Sequence, residues 1–152
     1  MWSALQHLAF RWLFASSLAS LAGSKIHRIA LLFVAYQETQ NAVWVSLILG
    51  AQFLASAVLG PLLGPLSDRY DRRALMIVSN LARAALVACI PLFAIGSMPL
   101  LMGISFLMAV FESVHYAASN SAIPDMVPES ALDSANGLMM FVQRFSEIAF
   151  VA

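Results

Sequence analysis

The sequence predicts an all-α membrane protein that has four membrane-spanning helices and part of a fifth. Of its 152 residues, 61% are hydrophobic and 11% are charged, and the mean hydropathy is +0.84. Soluble domains carry roughly 25% charged residues, so lipid must solvate much of this chain. The apolar residues also form long runs with charged turns between them. This arrangement is typical of a chain that crosses a bilayer several times.

Five apolar runs define the predicted spans. A helix needs about 20 apolar residues to cross a hydrocarbon core of roughly 30 Å. We expect spans at about residues 10–36, 43–66, 74–95, 100–121 and 134–152. The last run continues to the final residue, so residues 1–152 are expected to be a partial N-terminal transmembrane domain. In the second span, the four-residue spacing of Gly60 and Gly64 predicts a close helix contact.

Short turns and one loop separate the spans. A polar turn is expected at residues 37–41, and a Gly-Ser-Met-Pro turn is expected at residues 96–99. Two prolines predict a loop at residues 123–129. Asp133 or Ser134 is the predicted N-terminal cap of the fifth helix.

The first span has an alternative interpretation as a signal peptide. Arg11 would supply its basic region, and residues 18–22 would supply the cleavage site. The apolar run resumes at Ile29 and further spans follow, which favours an uncleaved first helix. The single cysteine, Cys89, lies inside an apolar run and is interpreted as a core residue.

The arginines indicate an orientation in the membrane. Three of them lie in the turn between the second and third spans, residues 67–73, which we name the charged turn. The turns at residues 37–41 and 96–99 contain no Lys or Arg. The positive-inside rule therefore places the N-terminus and the charged turn in the cytoplasm, although the loop at residues 123–129 adds no basic residue.

The sequence lacks the motifs that mark several classes of enzyme and binding protein. There is no phosphate-binding loop, no His-Glu-x-x-His, no cysteine cluster and no Gly-x-Ser-x-Gly. His115 and Ser119 are one turn apart, but a serine hydrolase would also need an oxyanion donor that the sequence does not identify. The net charge of zero provides no attraction to nucleic acid. We therefore predict no enzyme activity, no cofactor, no metal and no nucleic-acid partner.

The charged turn carries a specific motif. The stretch Gly64-x-Leu66-x-Asp68-Arg69-x-Asp71-Arg72-Arg73 resembles the signature between helices two and three of major facilitator superfamily transporters. Most of that superfamily has glycine where this chain has Asp71. The aspartate variant is similar to a bacterial exporter branch that includes enterobactin exporters and macrolide efflux permeases. The stretches at residues 122–129, 132–136 and 28–31 resemble the same branch.

This resemblance implies a function and a set of partners. The chain would be the first part of a twelve-helix permease that exports a drug or siderophore by alternating access, with coupling to protons. The implied partners are the lipid bilayer, a small-molecule substrate and the missing C-terminal half of the permease. The implied location is the bacterial plasma (inner) membrane. A non-transporting membrane remnant and a small subunit that assembles with other chains are the alternatives.

Two features depart from the proton-coupled drug antiporters of the superfamily. Those proteins have an arginine in the helix-four signature, whereas the fourth span here has only Glu112 and His115. They also have a Gly-Pro signature in helix five, whose places are taken here by Phe150 and Val151. Proton antiport therefore follows from the resemblance to the branch and not from these signatures.

The motif and the ionisable residues within the spans supply the candidate site residues. In the family, the motif acts as a conformational latch on the second half of the transporter. The motif residues are Gly64, Leu66, Asp68, Arg69, Asp71, Arg72 and Arg73. A charge inside the bilayer costs roughly 2.5–3.5 kcal/mol, so ionisable residues there should face protein or a water-filled cavity. The candidates for a substrate or proton cavity are Lys25, Arg28, Glu112, His115, Arg144 and Glu147.

Spacing refines these candidates. Three pairs of residues lie three apart and share a helix face: Lys25 with Arg28, Glu112 with His115, and Arg144 with Glu147. Glu112 is the strongest candidate for a proton or cation site, because desolvation favours a protonated carboxyl, whereas a nearby Lys25 or Arg28 would favour the charged form. The pair in the fifth span suits a structural role equally well. Two further residues are expected to be structural: His27 in packing, and Arg83 by pairing or snorkelling on a peripheral helix.

Overall fold

The computed structural model describes the backbone of residues 3–94 and 96–149, where every regular element is a helix. The side chains of residues 3, 60, 61, 63–69, 93, 94 and 146–149 lie outside this description. The long helices are α1 (Leu8–Thr39), α2 (Ala42–Arg69), α3 (Arg72–Cys89), α4 (Met98–Ala122) and α5 (Glu129–Ala149). Shorter helical turns lie at Ser3–Gln6, Ile90–Ala94 and Ile123–Asp125. The predicted all-α class is therefore confirmed.

Four helical segments in the described residues are long and apolar enough to cross a membrane. They are Leu8–Thr39, Ala42–Leu59, Arg72–Leu92 and Met98–Asp125. These segments also expose large apolar side chains, and Trp12, Phe53 and Leu92 are 70%, 75% and 71% exposed. Water would solvate such surfaces poorly, whereas lipid chains match them. Over its described residues, α5 does not meet the same criterion.

The first connection is shorter than the polar turn predicted at residues 37–41. Helix α1 continues to Thr39, whose hydroxyl donates to the Ala35 carbonyl at 2.7 Å. Gln40 then adopts a left-handed conformation with a φ of 49°. Asn41 caps α2, because its side-chain oxygen accepts a hydrogen bond from the Val43 amide at 2.9 Å. Polar side chains mark the end of the apolar run, but they do not interrupt backbone hydrogen bonding.

Asp71 provides the physical start of α3. Helix α2 includes Arg69 in its backbone, and Tyr70 is extended. The Asp71 side chain accepts a hydrogen bond from the Arg73 amide at 2.9 Å, so α3 begins at Arg72, two residues before the predicted boundary. A cap of this type stabilises a helix by about 1 kcal/mol. Because glycine is also tolerated as a helix cap, aspartate can replace the glycine of the superfamily motif here.

A proline changes the end of α3. Pro91 has no amide hydrogen to donate, and the backbone forms a π-helical turn over Ile90–Ala94. Gly96 has a φ of 85°, a conformation that glycine adopts without steric cost. Helix α4 then starts at Met98, with Pro99 in its first turn, where backbone amides have no intrahelical acceptor.

The predicted cap of the fifth helix is wrong. Helix α5 begins at Glu129, so Asp133 and Ser134 lie inside it. The Pro128 carbonyl accepts a hydrogen bond from the Ala131 amide at 2.8 Å. The fixed φ of proline suits a helix start, and the Glu129 carboxylate is favoured near the positive end of the helix dipole. The proline that predicted a chain break therefore also starts the next helix.

The described chain forms two compact units. The central unit is His27–Ala118, and the terminal unit comprises the residues up to Ile26 together with those from Ser119 onward. The core of the central unit contains residues of α1, α2 and α4: Leu31, Ala35, Ile48, Leu101, Ile104 and Met108. The half-buried Cys89 packs against this core, as its apolar surroundings predicted.

The terminal unit has a separate set of buried residues. The helical turn at Ser3–Gln6 packs against α5. Within this unit, the hydroxyls of Ser17 and Ser119 lie 3.3 Å apart. The buried apolar residues are Ala4, Phe10, Leu13, Ala122, Ile123, Val127, Ala131, Ala135, Leu138 and Met139.

A candidate polar site among three helices

A group of ionisable side chains from three helices lies within the central unit, and we name it the polar cluster. Its members are His27 and Arg28 of α1, Arg83 of α3, and Glu112 and His115 of α4. Each of the four basic members either forms an ion pair with Glu112 or lies close enough to interact with its charge. The carboxylate is therefore the common neighbour of the whole cluster.

One ion pair in the cluster joins α1 to α4. The Arg28 Nη2 donates to the Glu112 Oε2 at 3.4 Å, and the two side chains are 36% and 32% exposed. Bonds between guanidinium and carboxylate groups are usually about 2.7–2.9 Å long and often bidentate. This contact is therefore a long one through a single pair of atoms.

Arg83 agrees with the pairing alternative and not with the snorkelling one. It is 8% exposed in the central unit, and its Nη1 donates to the Asn80 Oδ1 at 3.4 Å. Its charge acts on both cluster histidines. The snorkelling interpretation is therefore wrong, because this side chain is turned toward other protein groups. One feature of the sequence could have indicated this inward position: Arg83 is the only charged residue between Arg73 and Glu112.

His115 is buried without hydrogen-bond partners in the part of the chain that the structure describes. It is 7% exposed, and neither ring nitrogen forms a hydrogen bond. The Met76 backbone comes near the ring without hydrogen-bond geometry, and its carbonyl accepts from the Ser79 hydroxyl at 3.1 Å. The Nε2 of His27 is also buried without such a bond. A buried polar atom left in this state costs about 1–3 kcal/mol.

The other cavity candidates lie in the terminal unit. Lys25 is half-buried and Arg144 is exposed, while the side chain of Glu147 lies outside the described residues. In the central unit, the structure groups Arg28, Glu112 and His115 with two residues that the candidate list omitted. Across the described residues, no three His, Cys, Asp or Glu side chains form a group that could hold a metal ion.

The structure describes only part of the motif around the charged turn. The backbone of its first residues belongs to α2, but the side chains of Gly64, Leu66, Asp68 and Arg69 lie outside the description, as does that of Gly60. Beyond them, Asp71 caps α3, Arg72 is half-buried and Arg73 is exposed. The motif's role as a latch and the contact predicted for Gly60 and Gly64 therefore remain predictions.

The long apolar helices and the ionisable groups within them define a multi-pass helical membrane protein. A model of the Major Facilitator Superfamily matches residues 9–151. The chain therefore belongs to the major facilitator superfamily, which confirms the resemblance seen in the motif.

Three relatives show where the chain falls within longer proteins. It is 31% identical over 144 residues to macrolide efflux protein A of Streptococcus pyogenes, covering 93% of this chain and 36% of that protein. A macrolide efflux protein A of Enterococcus faecalis is 33% identical over 99 residues, covering 63% of this chain and 31% of that protein. An uncharacterized MFS-type transporter of Bacillus subtilis is 28% identical over 138 residues, covering 90% of this chain and 32% of that protein. The chain spans about a third of the length of these curated relatives. No solved structure matches it.

Proposed function

We propose that this chain is the N-terminal portion of a small-molecule exporter of the drug or siderophore type, in a bacterial inner membrane. The observation that carries the proposal is the 31% identity, over 93% of the chain, to a protein named for macrolide efflux. Because that relative is much longer, the proposed partner is a C-terminal portion. Transporters of this kind bind substrate between two repeated halves and move it by alternating access.

Proton coupling is the second part of the proposal, and the polar cluster supports it. Ionisable groups within membrane-spanning helices are costly, and they commonly mark ion and proton pathways. Here a carboxylate and two histidines occupy α1 and α4 beside two arginines. Glu112 belongs to the proposed coupling site because it is the acidic member and its partner Arg28 lies on another helix.

Export by the complete protein tests the proposal. The reading frame would be followed beyond codon 152 and expressed whole in a bacterial host that lacks its own exporters. We expect lower accumulation of a radiolabelled macrolide or of a catecholate siderophore, and we expect a protonophore to abolish the difference. The 152-residue chain alone should export neither compound, because alternating access needs both halves. Unchanged accumulation of both compounds in cells making the complete protein would reject the exporter proposal.

The proposed orientation has the N-terminus and the charged turn in the cytoplasm. The arginines of that turn, and their absence from residues 37–41 and 96–99, support this arrangement. Single cysteines would be introduced as Ser67→Cys and Thr39→Cys in a Cys89→Ala background. An impermeant maleimide added to intact cells should label the cysteine at position 39, whereas the one at position 67 should react only after permeabilisation. Labelling of both positions in intact cells would contradict the orientation.

A further inference from the structure

We propose that His115 is a proton acceptor, and that its protonation draws Glu112 from Arg28 to His115 and so releases the contact between α1 and α4. The inference deepens the proposed proton coupling and rests on it for its role in transport. It assigns separate tasks to the two α4 residues, since His115 binds the proton and Glu112 changes partner. All the groups concerned lie in the central unit.

The first argument is the unmet hydrogen-bonding capacity of His115. Its side chain is more than nine-tenths buried, and both ring nitrogens lie without hydrogen-bond partners in the described part of the chain. A neutral imidazole can donate through one nitrogen and accept through the other, whereas a protonated one donates through both. A carboxylate that accepts from this ring would satisfy a nitrogen and balance the new charge together.

The second argument is the position of Glu112. It lies three residues before His115 on α4, so the two side chains share a face of the helix. It is already close enough for its charge to act on the ring. Its present bond to Arg28 is 3.4 Å long, and about a third of its side chain is exposed. Rotation of the Glu112 side chain would exchange a long interhelical contact for one within α4.

The two histidines have different charged neighbours. Arg83 of α3 repels a positive charge on His115, and Glu112 of α4 attracts it. His27 of α1 faces Glu112 and Arg83 as well, but it also lies beside Arg28. A proton on His27 would thus be opposed by two guanidinium groups, and one on His115 by a single guanidinium. His115 also has Glu112 one turn away on its own helix, so the carboxylate that would balance the new charge is within reach.

The proton also changes what holds the helices together. With His115 neutral, Arg28 and Glu112 link α1 to α4. With His115 protonated, the carboxylate bonds within α4, and the interhelical contact is lost. A proton can therefore alter the packing of a helix pair without binding to either partner of the existing ion pair. That is a direct route from proton binding to a change in conformation.

Protonation can be followed without any transport assay, because the chain has three histidines. The purified protein would be labelled with ¹⁵N-histidine in detergent micelles, and the imidazole resonances recorded between about pH 5 and about pH 8, where histidine normally titrates. His7→Gln, His27→Gln and His115→Gln would assign the signals. We expect the His115 ring to become cationic in this range and to do so less readily in Glu112→Gln. A His115 ring that stays neutral throughout would overturn the proposal.

The release of α1 from α4 needs a distance measurement in the same samples. Spin labels would be attached after Phe33→Cys and Leu107→Cys in the Cys89→Ala background, since both native side chains are exposed on these helices. We expect the interlabel distance to change between high and low pH, and this change to vanish in His115→Gln and in Glu112→Gln. His7→Gln, which lies outside the polar cluster, is the comparison variant and should retain the change. A pH response that survives in His115→Gln, or is lost only in His27→Gln, would overturn the assignment.

These readouts separate the inference from the proposed function. If the protein shows the pH-dependent change in distance but exports nothing, the inference about His115 stands and the exporter proposal is rejected. If His115→Gln leaves the proton-driven export of the complete protein unaltered, the exporter proposal stands and the role of His115 in export is rejected.

Discussion

Replacing Glu112 with glutamine should lower export by the complete protein about tenfold or more and flatten its dependence on pH. The carboxylate interacts with every basic member of the polar cluster, and its pair with Arg28 joins α1 to α4. Glutamine retains the size of the side chain but removes its charge and its ability to titrate. A loss of about 1.4 kcal/mol at one conformational step corresponds to a tenfold change. Initial export rates across a pH series in proteoliposomes would provide the measurement.

Glu38→Gln is the matched control for this experiment. It makes the same chemical change on an exposed side chain near the end of α1, away from the polar cluster. Its rate and pH profile should match those of the unaltered protein at equal amounts of reconstituted transporter. Equal effects of both substitutions, or a normal profile in Glu112→Gln, would show that the polar cluster has no special part in export.

Leu101→Ala should lower the free energy of unfolding by about 2–4 kcal/mol. Leu101 is 0% exposed and packs in the core formed by residues of α1, α2 and α4. In a membrane, the substitution mainly removes close packing between helices. Lipid chains are as apolar as leucine, so transfer from lipid to the protein core contributes little. Unfolding of the purified chain in mixed micelles with increasing SDS would measure the change.

The adjacent residue supplies the control. Leu100→Ala removes the same atoms from a side chain that is 42% exposed on the same helix. It should lower the free energy of unfolding by less than about 1 kcal/mol, since little packing is lost. If the two variants unfolded alike, the core assigned to the central unit would be wrong.

Several predictions from the sequence were correct because they depend on properties that act along the chain. The length of each apolar run sets whether a helix can cross a bilayer, and four such segments are present in the described residues. The motif at residues 64–73 indicated the superfamily that the family model then matched. The helix boundaries were less accurate. Local contacts set them: the Asn41 and Asp71 side chains accept hydrogen bonds from backbone amides, and α5 starts directly after Pro128.

The composition and spacing of this sequence by themselves determined a multi-pass helical membrane chain with ionisable residues inside its spans. The chemistry of each ionisable side chain determines the free energy that it costs in lipid. The spacing of three residues places Glu112 and His115 on the same helix face. Neither property tells which helices lie next to each other. Only the tertiary structure brought Arg28 to Glu112, turned Arg83 inward and left the nitrogens of His115 without hydrogen-bond partners in the described chain. Those outcomes depend on contacts between residues up to 84 positions apart, which local patterns do not encode.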